Sequence, residues 1–526
     1  MQKSGSFEAY HLNMGKIIIL VENATFRLLI LTKNIMSKNA FYHQLTNPLL
    51  ISFFLLTLLT LVSYGNMGQD EGMWSYIGRV WIQDGIPPYV GAVENKTPGI
   101  FELNAISFFL FGVNIFFLRG LGVLSILLTS LIVYCIGRKL HSNSAGIFGM
   151  YILGLSMAWD LLNGAYTAQT ETFMILFSTL SFYFIIQGKD SRKWKYWFLL
   201  AGLSMGFAIA FKQIALMTTV ALFLFLIVFP TSNLTKRNKF FGLILLGLGI
   251  CISTFFSLIP LLLSGVSIKE YIDGAWLILL NKGSSIGGIK GRIFGFFAVW
   301  EYSRIVVFYP CLSLFFLQSN LLKNKYFIGL LIWLLFDFIG VNSSGYYFGH
   351  QIKQLMPALS IIIGILLGNL LINLKSDKAT YSKYVSIIIL TIIITMFPYQ
   401  LVFQNGYLLL RSHSNTISDK EIGTWLRDNT KKKEYVYVFG GQSSPILSYS
   451  ERVSSSKHFS EIFITTKTEK DLLFSDLKEK PPVYILKRSS PSYSGERNYE
   501  DARIDSLMNN YTLLQSKGVW DIYMRN

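Results

Sequence analysis

The stretch FFGLILLGLGICISTFFSLIPLLL, residues 240–263, runs for 24 residues without a charged side chain. A helix needs about 20 mainly apolar residues to cross the hydrocarbon core of a bilayer. Lys236, Arg237 and Lys239 directly precede the stretch, and basic residues gather at the cytoplasmic ends of membrane helices. The sequence therefore predicts a transmembrane helix here, with its N-terminal end on the cytoplasmic side.

Apolar runs of this kind recur along the chain, which has 526 residues, of which 52% are hydrophobic and 15% charged. A soluble domain carries about 25% charged residues, and a membrane barrel would show short alternating strands instead of long runs. We therefore expect a polytopic α-helical membrane protein. Eleven spans are predicted, at 47–64, 115–135, 144–162, 166–187, 195–212, 214–230, 240–263, 303–320, 326–342, 353–374 and 384–403.

The formal net charge of +17 does not indicate a nucleic-acid partner. The basic residues form short clusters between the apolar runs, and all these clusters fall on one predicted side, as the positive-inside rule requires of the cytoplasmic loops. The three cysteines, Cys135, Cys251 and Cys311, lie within apolar runs. No disulfide framework or zinc site is therefore indicated.

These charges set the predicted topology and domains. The interrupted apolar stretch 15–32 is a poor span and a poor signal peptide, which favours Met36 as the natural start. The predicted parts are a cytoplasmic extension at 1–46, a transmembrane domain at 47–404 with outer loops 65–114 and 264–302, and an extracytoplasmic domain at 405–526.

The last domain is richer in charge and turn residues, and its patterns predict a small α/β fold. Its expected elements are a helix at 419–429, a strand at 434–439, a helix at 468–478, a strand at 482–487, a helix at 499–509 and a closing strand pair.

The first outer loop combines several unusual features. Asp70 and Glu71 follow the first span, and Trp74, Ile77 and Trp81 then share one face of a predicted interfacial helix. The run Gly85-Ile86-Pro87-Pro88-Tyr89 ends that helix, and Asn95-Lys96-Thr97-Pro98-Gly99 turns the chain back toward the membrane. Taken singly, the acidic pair reads as a solvated helix start and the prolines as a simple turn. Their combination in one ordered loop favours a functional site.

This loop resembles the first-loop signature of the glycosyltransferase C superfamily, in the branch of the protein O-mannosyltransferases and the lipid A aminoarabinose transferase. The matching residues are Asp70-Glu71, Tyr76, Gly85-x-Pro87-Pro88-Tyr89, Lys96-x-Pro98, Phe111-Gly112 and Arg119. The resemblance implies an enzyme that moves a sugar from a polyprenyl-phosphate carrier to an acceptor at the outer membrane face. It also implies Asp70 as general base and Lys96 as a contact of the carrier phosphate. Where the family often has His-Lys-Pro-Pro, this chain has Asn95 and Thr97 around the lysine.

The resemblance extends over most of residues 47–460. The further matching segments are Thr170-Glu171, Ala201-Gly202 through Lys212, Tyr346-Tyr347-x-x-His350 with Met356-Pro357, and Gly440 to Arg452 with Pro445. An ionisable side chain at membrane depth is costly, so Glu171 and Lys212 are functional candidates; the alternative is a buried structural ion pair.

The chemistry of sugar transfer explains the choice of candidates. A carboxylate can take the proton of an acceptor hydroxyl, and cations stabilise the leaving phosphate. The candidate residues are Asp70 and Glu71 for catalysis; Lys96, Lys212, Lys282, Arg292 and Arg304 for the donor phosphate; and Tyr76, Tyr89, Glu171, Tyr346 and His350 for substrate.

The acidic residues Asp70, Glu71 and Glu171 leave open a divalent cation, Mg²⁺ or Mn²⁺, as cofactor. The expected partners are a polyprenyl-phosphate-linked sugar, a glycan, lipid or protein acceptor, and membrane lipids, in a bacterial inner membrane. Two other classes stay open. One is a transporter or flippase of lipid-linked sugars, which the one-sided gathering of irregular segments disfavours. The other is a non-catalytic envelope assembly protein.

Overall fold

A computed structural model describes residues 47–63, 65–158, 168–228, 234–279, 321, 323–344, 348–375, 419–439, 444–460, 463–464, 466–488 and 501–526. The chain divides into two compact units, Met1–Phe54 and Leu55–Asn526. Every candidate site residue belongs to the second unit.

Helices occupy nine of the eleven predicted span positions, which confirms the polytopic helical class. The other two predicted spans, 303–320 and 384–403, lie outside the described residues. In the membrane part the helices are α1 (Pro48–Val62), α2 (Gln69–Asp84), α3 (Gly99–Phe111), α4 (Ile115–Leu140), α5 (Asn143–Met157), α6 (Thr170–Gly188), α7 (Trp194–Phe211), α8 (Ala215–Val228), α9 (Lys236–Leu263), α10 (Ile268–Ile272), α11 (Lys325–Ser344) and α12 (Met356–Lys375).

Six helical segments among the described residues are long and apolar enough to span a bilayer. They are Ile115–Leu140, Thr170–Gly188, Trp194–Phe211, Lys236–Leu263, Lys325–Ser343 and Gly349–Ile372. The last of these begins with a 3₁₀ turn, Gly349–Leu355, which leads into α12. Small residues let neighbouring helices approach closely: a Cβ atom at Gly202 of α7 would lie 2.1 Å from the Leu246 carbonyl oxygen of α9.

The outer loops contain more helix than the sequence indicated. Helix α2 confirms the predicted helix of the first loop, whereas its position at the membrane interface stays a prediction. Helix α3, by contrast, is not predicted by the sequence, which indicates only that the chain turns back toward the membrane here. Pro98 precedes α3, and Gly112, at a φ of 64°, ends it. In the second loop, α10 continues into a π-helical turn, Asp273–Leu277. The two loops are in contact: the Trp81 indole N–H donates to the Ser264 hydroxyl oxygen at 2.8 Å.

The C-terminal part is the predicted small α/β domain. Its helices are α13 (Asp419–Asp428), α14 (Ser444–Ser450), α15 (Lys467–Glu479) and α16 (Ala502–Met508), and its strands are β1 (Tyr435–Phe439), β2 (Val453–Ser454), β3 (Tyr484–Arg488), β4 (Tyr511–Lys517) and β5 (Trp520–Arg525). The strand order is β2-β1-β3-β5-β4. Strands β2, β1 and β3 are parallel, whereas β5 pairs antiparallel with β3 and β4.

The sheet buries a core built from alternate strand residues and the apolar face of α15, including Tyr437, Ile485, Leu473 and Leu477. Every predicted element of this domain is present, shifted by a few residues at most where it is described. Only α14 and β2 were not expected. Both face the membrane part of the protein through contacts with α2.

Candidate active site

The site begins where α2 starts. Glu71 lies in the first turn of α2, and its Oε2 accepts a hydrogen bond from the Gly68 backbone N–H at 2.9 Å. The Arg119 guanidinium of α4 donates to both oxygens of the same carboxylate, from Nε at 2.9 Å and from Nη2 at 2.7 Å. The Ala168 N–H adds a further bond at 3.0 Å. The Glu71 carboxylate is therefore buried and held by four donors.

Arg119 also fixes the chain that leads into α2. Its guanidinium donates to the carbonyl oxygens of Ser63 and Gly65 at 3.0 Å each, and to that of Asn66 at 2.7 Å. A charge-assisted pair of this two-bond geometry is both strong and directional. Arg119 and Glu71 thus fix the first turn of α2. This turn also carries Asp70, the residue directly before Glu71.

Asp70 is half-buried, and no residue in the described part of the chain donates a hydrogen bond to its carboxylate. Its negative charge acts on three basic groups, Lys96, Lys212 and His350. Among the described residues, no backbone or side-chain donor occupies the Asp70 carboxylate, and its charge interacts with those of the three basic groups. A carboxylate can act as general base when it reaches the proton of an acceptor hydroxyl.

Lys96 lies in the turn between α2 and α3. Its Nζ donates to Glu94 Oε1 at 3.2 Å and to Asn95 Oδ1 at 2.9 Å, and it lies 5.9 Å from the ring centroid of Trp74. Burial acts to lower the pKa of Lys96, but the charges of Glu94, Asp70 and Glu171 outweigh it, so the pKa is raised above its ordinary value. Lys96 is therefore a fixed cation whose charge interacts with that of Asp70.

Tyr89 holds the turn that carries Lys96. Its hydroxyl donates to the Lys96 carbonyl oxygen at 2.6 Å, and its backbone has a φ of 68°. A bulky residue rarely adopts this left-handed conformation, and backbone strain of this kind concentrates at functional sites. The ring packs edge-on against Phe101 and Tyr271, at centroid distances of 5.8 Å. Through this hydrogen bond and these ring contacts, the Tyr89 side chain stabilises the conformation of the loop.

A second charged layer lies where α7 ends and α6 begins. Lys212, which follows α7, pairs with Glu171 Oε1 in the first turn of α6. His350 Nε2 lies 3.8 Å from the same oxygen, and Thr170 Oγ1 donates to Glu171 Oε2 at 2.8 Å. The Lys353 Nζ donates to Thr172 Oγ1 at 2.9 Å, and Lys353 also feels the charge of Glu171. Five of these six side chains are buried, and His350 is half-buried.

The two layers are joined by Gln213, the residue after Lys212. Its side-chain amide donates to the carbonyl oxygens of Asn95, at 2.6 Å, and Ala275, at 2.7 Å. The first outer loop, the second outer loop and the end of α7 therefore meet at one residue. The charges of Lys96 and Asp70 both act on Lys212, so the three groups belong to one site.

The structure groups five of the residues that the sequence singled out: Asp70, Lys96, Glu171, Lys212 and His350. Tyr76 lies elsewhere, because its hydroxyl accepts the backbone N–H of Ser454 at 2.9 Å; burial raises the pKa of Tyr76 to about 12. Lys282, Arg292, Arg304 and Tyr346 lie outside the described residues. Their assignment to donor or substrate binding stays a prediction.

Sequence reasoning missed two charged residues of the cluster, Glu94 and Lys353. Glu94 lies in the first loop, where the prediction rested on the prolines and did not consider this residue. Lys353 was counted as the first residue of a span, although an ionisable residue at membrane depth is itself a functional signal.

The described residues of the site do not fit a metal centre. Among the described residues, no group of three or more His, Cys, Asp or Glu side chains could hold a metal ion. Both Glu71 oxygens are occupied by donors, and Glu171 faces Lys212. We therefore derive no step through a divalent cation.

The fold and the site define a class: a multi-pass helical membrane protein whose first loop, next to a small α/β tail, carries a carboxylate among lysines. A family model and solved structures of the same fold support the resemblance found in the sequence. Residues 95–256 match the family model of dolichyl-phosphate-mannose-protein mannosyltransferase. No curated protein sequence matches the chain significantly.

Solved structures show the same fold. ArnT from Cupriavidus metallidurans bound to undecaprenyl phosphate aligns with a TM-score of 0.61 at 13% identity, over 90% of this chain and 97% of that chain. The Archaeoglobus fulgidus oligosaccharyltransferase in complex with zinc and sulfate aligns with a TM-score of 0.56 at 11% identity, over 83% of this chain and 68% of that chain. The archaeal oligosaccharyltransferase AglB in complex with an inhibitory peptide and a dolichol-phosphate gives 0.55 at 11%, over 84% and 69%.

Proposed function

We propose that this protein is a membrane glycosyltransferase that transfers a sugar from a polyprenyl-phosphate-linked donor to an acceptor at the extracytoplasmic face. The observation that carries the proposal is the environment of Asp70: a carboxylate that no described residue hydrogen-bonds, in the field of Lys96, Lys212 and His350. The family match over residues 95–256 supports the same class.

In the proposed reaction, an acceptor hydroxyl oxygen attacks the anomeric carbon of the donor sugar. The bond between that carbon and the phosphate oxygen breaks, and its electron pair leaves with the polyprenyl phosphate. The hydroxyl proton passes to the Asp70 carboxylate, which acts as general base. No oxidant or nucleotide is needed, because the glycosidic bond that forms replaces the sugar–phosphate bond that breaks.

The leaving phosphate gains negative charge as the bond breaks, so it requires fixed cations. Lys96 and Lys212 supply them in this proposal, and Lys282, Arg292 and Arg304 remain candidates for the same task. The structures of ArnT with undecaprenyl phosphate and AglB with dolichol-phosphate support a carrier of this kind. Lys212 would exchange its partner Glu171 for the phosphate when the donor binds.

We propose to change three of the roles predicted from the sequence. We assign Glu71 to holding α2, since its oxygens are filled by Arg119 and two backbone N–H groups. Tyr76 and Tyr89 hold the loop through their hydroxyl groups. Glu171 neutralises and orients Lys212, and His350 lies against the same Glu171 oxygen. Asp70 alone keeps the role of base.

The acceptor is a glycan, a lipid or a protein of the cell envelope. We place the protein in a bacterial inner membrane, with its N-terminus in the cytoplasm and its C-terminal domain outside. This placement follows from the basic clusters, which fall at the predicted inner ends of the spans.

The test compares two aspartates. Purified protein in nanodiscs is given a panel of synthetic undecaprenyl-phosphoryl hexoses and pentoses, together with membranes from a deletion strain as acceptor. Free undecaprenyl phosphate and sugar gained by the membranes are measured. We expect Asp70→Asn to lower transfer by about 10²–10⁴-fold, while the half-exposed Asp190→Asn, on the predicted cytoplasmic side, transfers like wild type.

A wild-type transfer rate in Asp70→Asn would remove the general base and with it this proposal. Full complementation of a deletion strain by the same variant would instead support a non-catalytic assembly protein. Movement of intact lipid-linked sugar across liposomes, without transfer, would support the flippase reading.

A further inference from the structure

The C-terminal domain meets the helix that carries Asp70 along one face. The partners are the pairs Gly72–Pro445, Ser75–Ser448 and Arg79–Arg452. The positions on α2 are three and four residues apart, so they lie on one side of the helix. The sequence separation is 373 residues in both hydrogen-bonded pairs. The two segments therefore run in the same direction and stay in register.

The first pair is a close backbone approach. A Cβ atom at Gly72 would lie 2.4 Å from the Pro445 backbone nitrogen and 2.7 Å from its Cδ. Only glycine fits here, two residues beyond Asp70. Because the obstructing atoms belong largely to backbone, a side chain at this position must push the two segments apart.

The other contacts are polar and buried or partly buried. The Ser75 and Ser448 hydroxyl oxygens are 2.6 Å apart, and Arg79 Nη2 donates to the Arg452 carbonyl oxygen at 2.5 Å. On the adjoining side, the Ser454 N–H donates to the Tyr76 hydroxyl at 2.9 Å. Buried bonds of this kind specify one arrangement, since each unpaired group would cost free energy.

The same segment reaches the ion pair that fixes the start of α2. Tyr449 of α14 is mostly buried, and the charges of Arg119 and Glu71 both act on it. The residue after Asp70 is thus bordered by Arg119 from the membrane part and by α14 from the C-terminal domain. Asp70 itself has no hydrogen bond from a described residue, so the position of its carboxylate depends on where α2 lies.

We propose that residues 444–454 of the C-terminal domain are a positioning element for Asp70, with Pro445 and Ser448 as the positioning residues. This inference rests on the function proposed above and adds a requirement to it. The domain does more than cover the site: it sets the distance between the base and the anomeric carbon. A shift of about 1 Å in a reacting group can lower a rate about 100-fold.

The experiment replaces Gly72 by alanine and follows kcat and KM separately. The substrate is the undecaprenyl-phosphoryl sugar that wild type accepts from the panel. We expect Gly72→Ala to lower kcat about 100-fold, with the KM for that donor unchanged, because the lysines that hold the phosphate do not move. Gly247→Ala is the matched control, since a Cβ atom at this α9 glycine would meet nothing within 4 Å.

A milder pair of variants covers the case in which Gly72→Ala does not fold. Ser75→Ala and Ser448→Ala each delete one end of a single hydrogen bond, and the double variant deletes both. We expect each to lower kcat at constant donor KM, with the double variant no worse than the poorer single one.

The outcomes separate this inference from the function on which it rests. If Asp70→Asn is inactive but the Gly72 and serine variants keep the wild-type kcat, the positioning element is refuted and the enzyme stands. Equal losses in kcat and donor affinity would also refute it, because they indicate general damage. If Asp70→Asn is fully active, the proposed function itself has failed.

Discussion

Glu71 and Asp70 are consecutive carboxylates with opposite surroundings: Glu71 is closed off by Arg119 at 2.7 and 2.9 Å, whereas Asp70 has no donor among the described residues. One side chain is therefore part of the framework and the other is available for chemistry. This contrast between neighbours gives the sharpest test of the site.

Glu71→Gln should reduce stability, because it leaves the buried Arg119 guanidinium without its counter-charge. Breaking a buried pair in this way costs about 3–5 kcal/mol. Asp70→Asn should leave the unfolding temperature unchanged, since it breaks no bond within the described structure. Thermal unfolding of both variants in the same detergent measures the difference. Equal unfolding temperatures for the two would contradict the assignment.

Lys212→Met should weaken binding of undecaprenyl phosphate by about 10–100-fold, the usual worth of a charge-assisted contact. The same change leaves Glu171 buried and unpaired, so it should also destabilise the protein. Adding Glu171→Gln should restore stability without restoring binding. Binding and unfolding are measured on the single and double variants. Recovery of binding in the double variant would show that Lys212 serves only as a partner for Glu171.

Lys96 should keep its charge at alkaline pH. Its pKa lies above the ordinary value of 10.5, so the folded protein holds this proton more tightly than an unfolded chain does. Carrier binding that depends on Lys96 should therefore persist until the pH rises past that value. Glu94→Gln removes the strongest acidic neighbour, so the alkaline loss of binding should move to lower pH. Undecaprenyl phosphate binding between about pH 7 and 11 tests this; an unmoved profile would contradict it.

A buried hydrogen-bonded cluster of Thr218, Asp337 and Gln354 should stabilise the packing of the spanning helices. This cluster is not part of the candidate active site. Thr218 of α8 donates to Asp337 Oδ1 of α11 at 2.5 Å, and the Gln354 amide donates to the same oxygen at 3.1 Å. Thr218→Val should cost about 1–3 kcal/mol, because it removes a bond to a buried carboxyl group. Thr219→Val is the control, since that hydroxyl donates to Ala215 within its own helix at 2.9 Å. Similar unfolding temperatures for the two variants would show that the bond from Thr218 to Asp337 does not stabilise the protein.

Much of the fold was predictable, because periodicity and charge carry it. The helix Gln69–Asp84 followed from its apolar face and the breaker residues after it, and the C-terminal sheet followed from alternating apolar runs. Helix α14 was not predictable in the same way: it has seven residues, too few for a periodic pattern. The site was predictable only in part. Glu171 and Lys212 stood out as charges at membrane depth, but the distinction between Asp70 and Glu71 depends on Arg119, 48 residues further along.

The parallel contact between α2 and residues 444–454 has a consequence for how the protein is made. Helix α2 leaves the ribosome early, and its partner follows 373 residues later. Synthesis proceeds from the N-terminus, and domains fold as they emerge. Helix α2 therefore lacks these contacts until residues 444–454 have been made. If these residues position Asp70 as proposed, a chain truncated before residue 444 keeps α2 but loses the contacts that orient it.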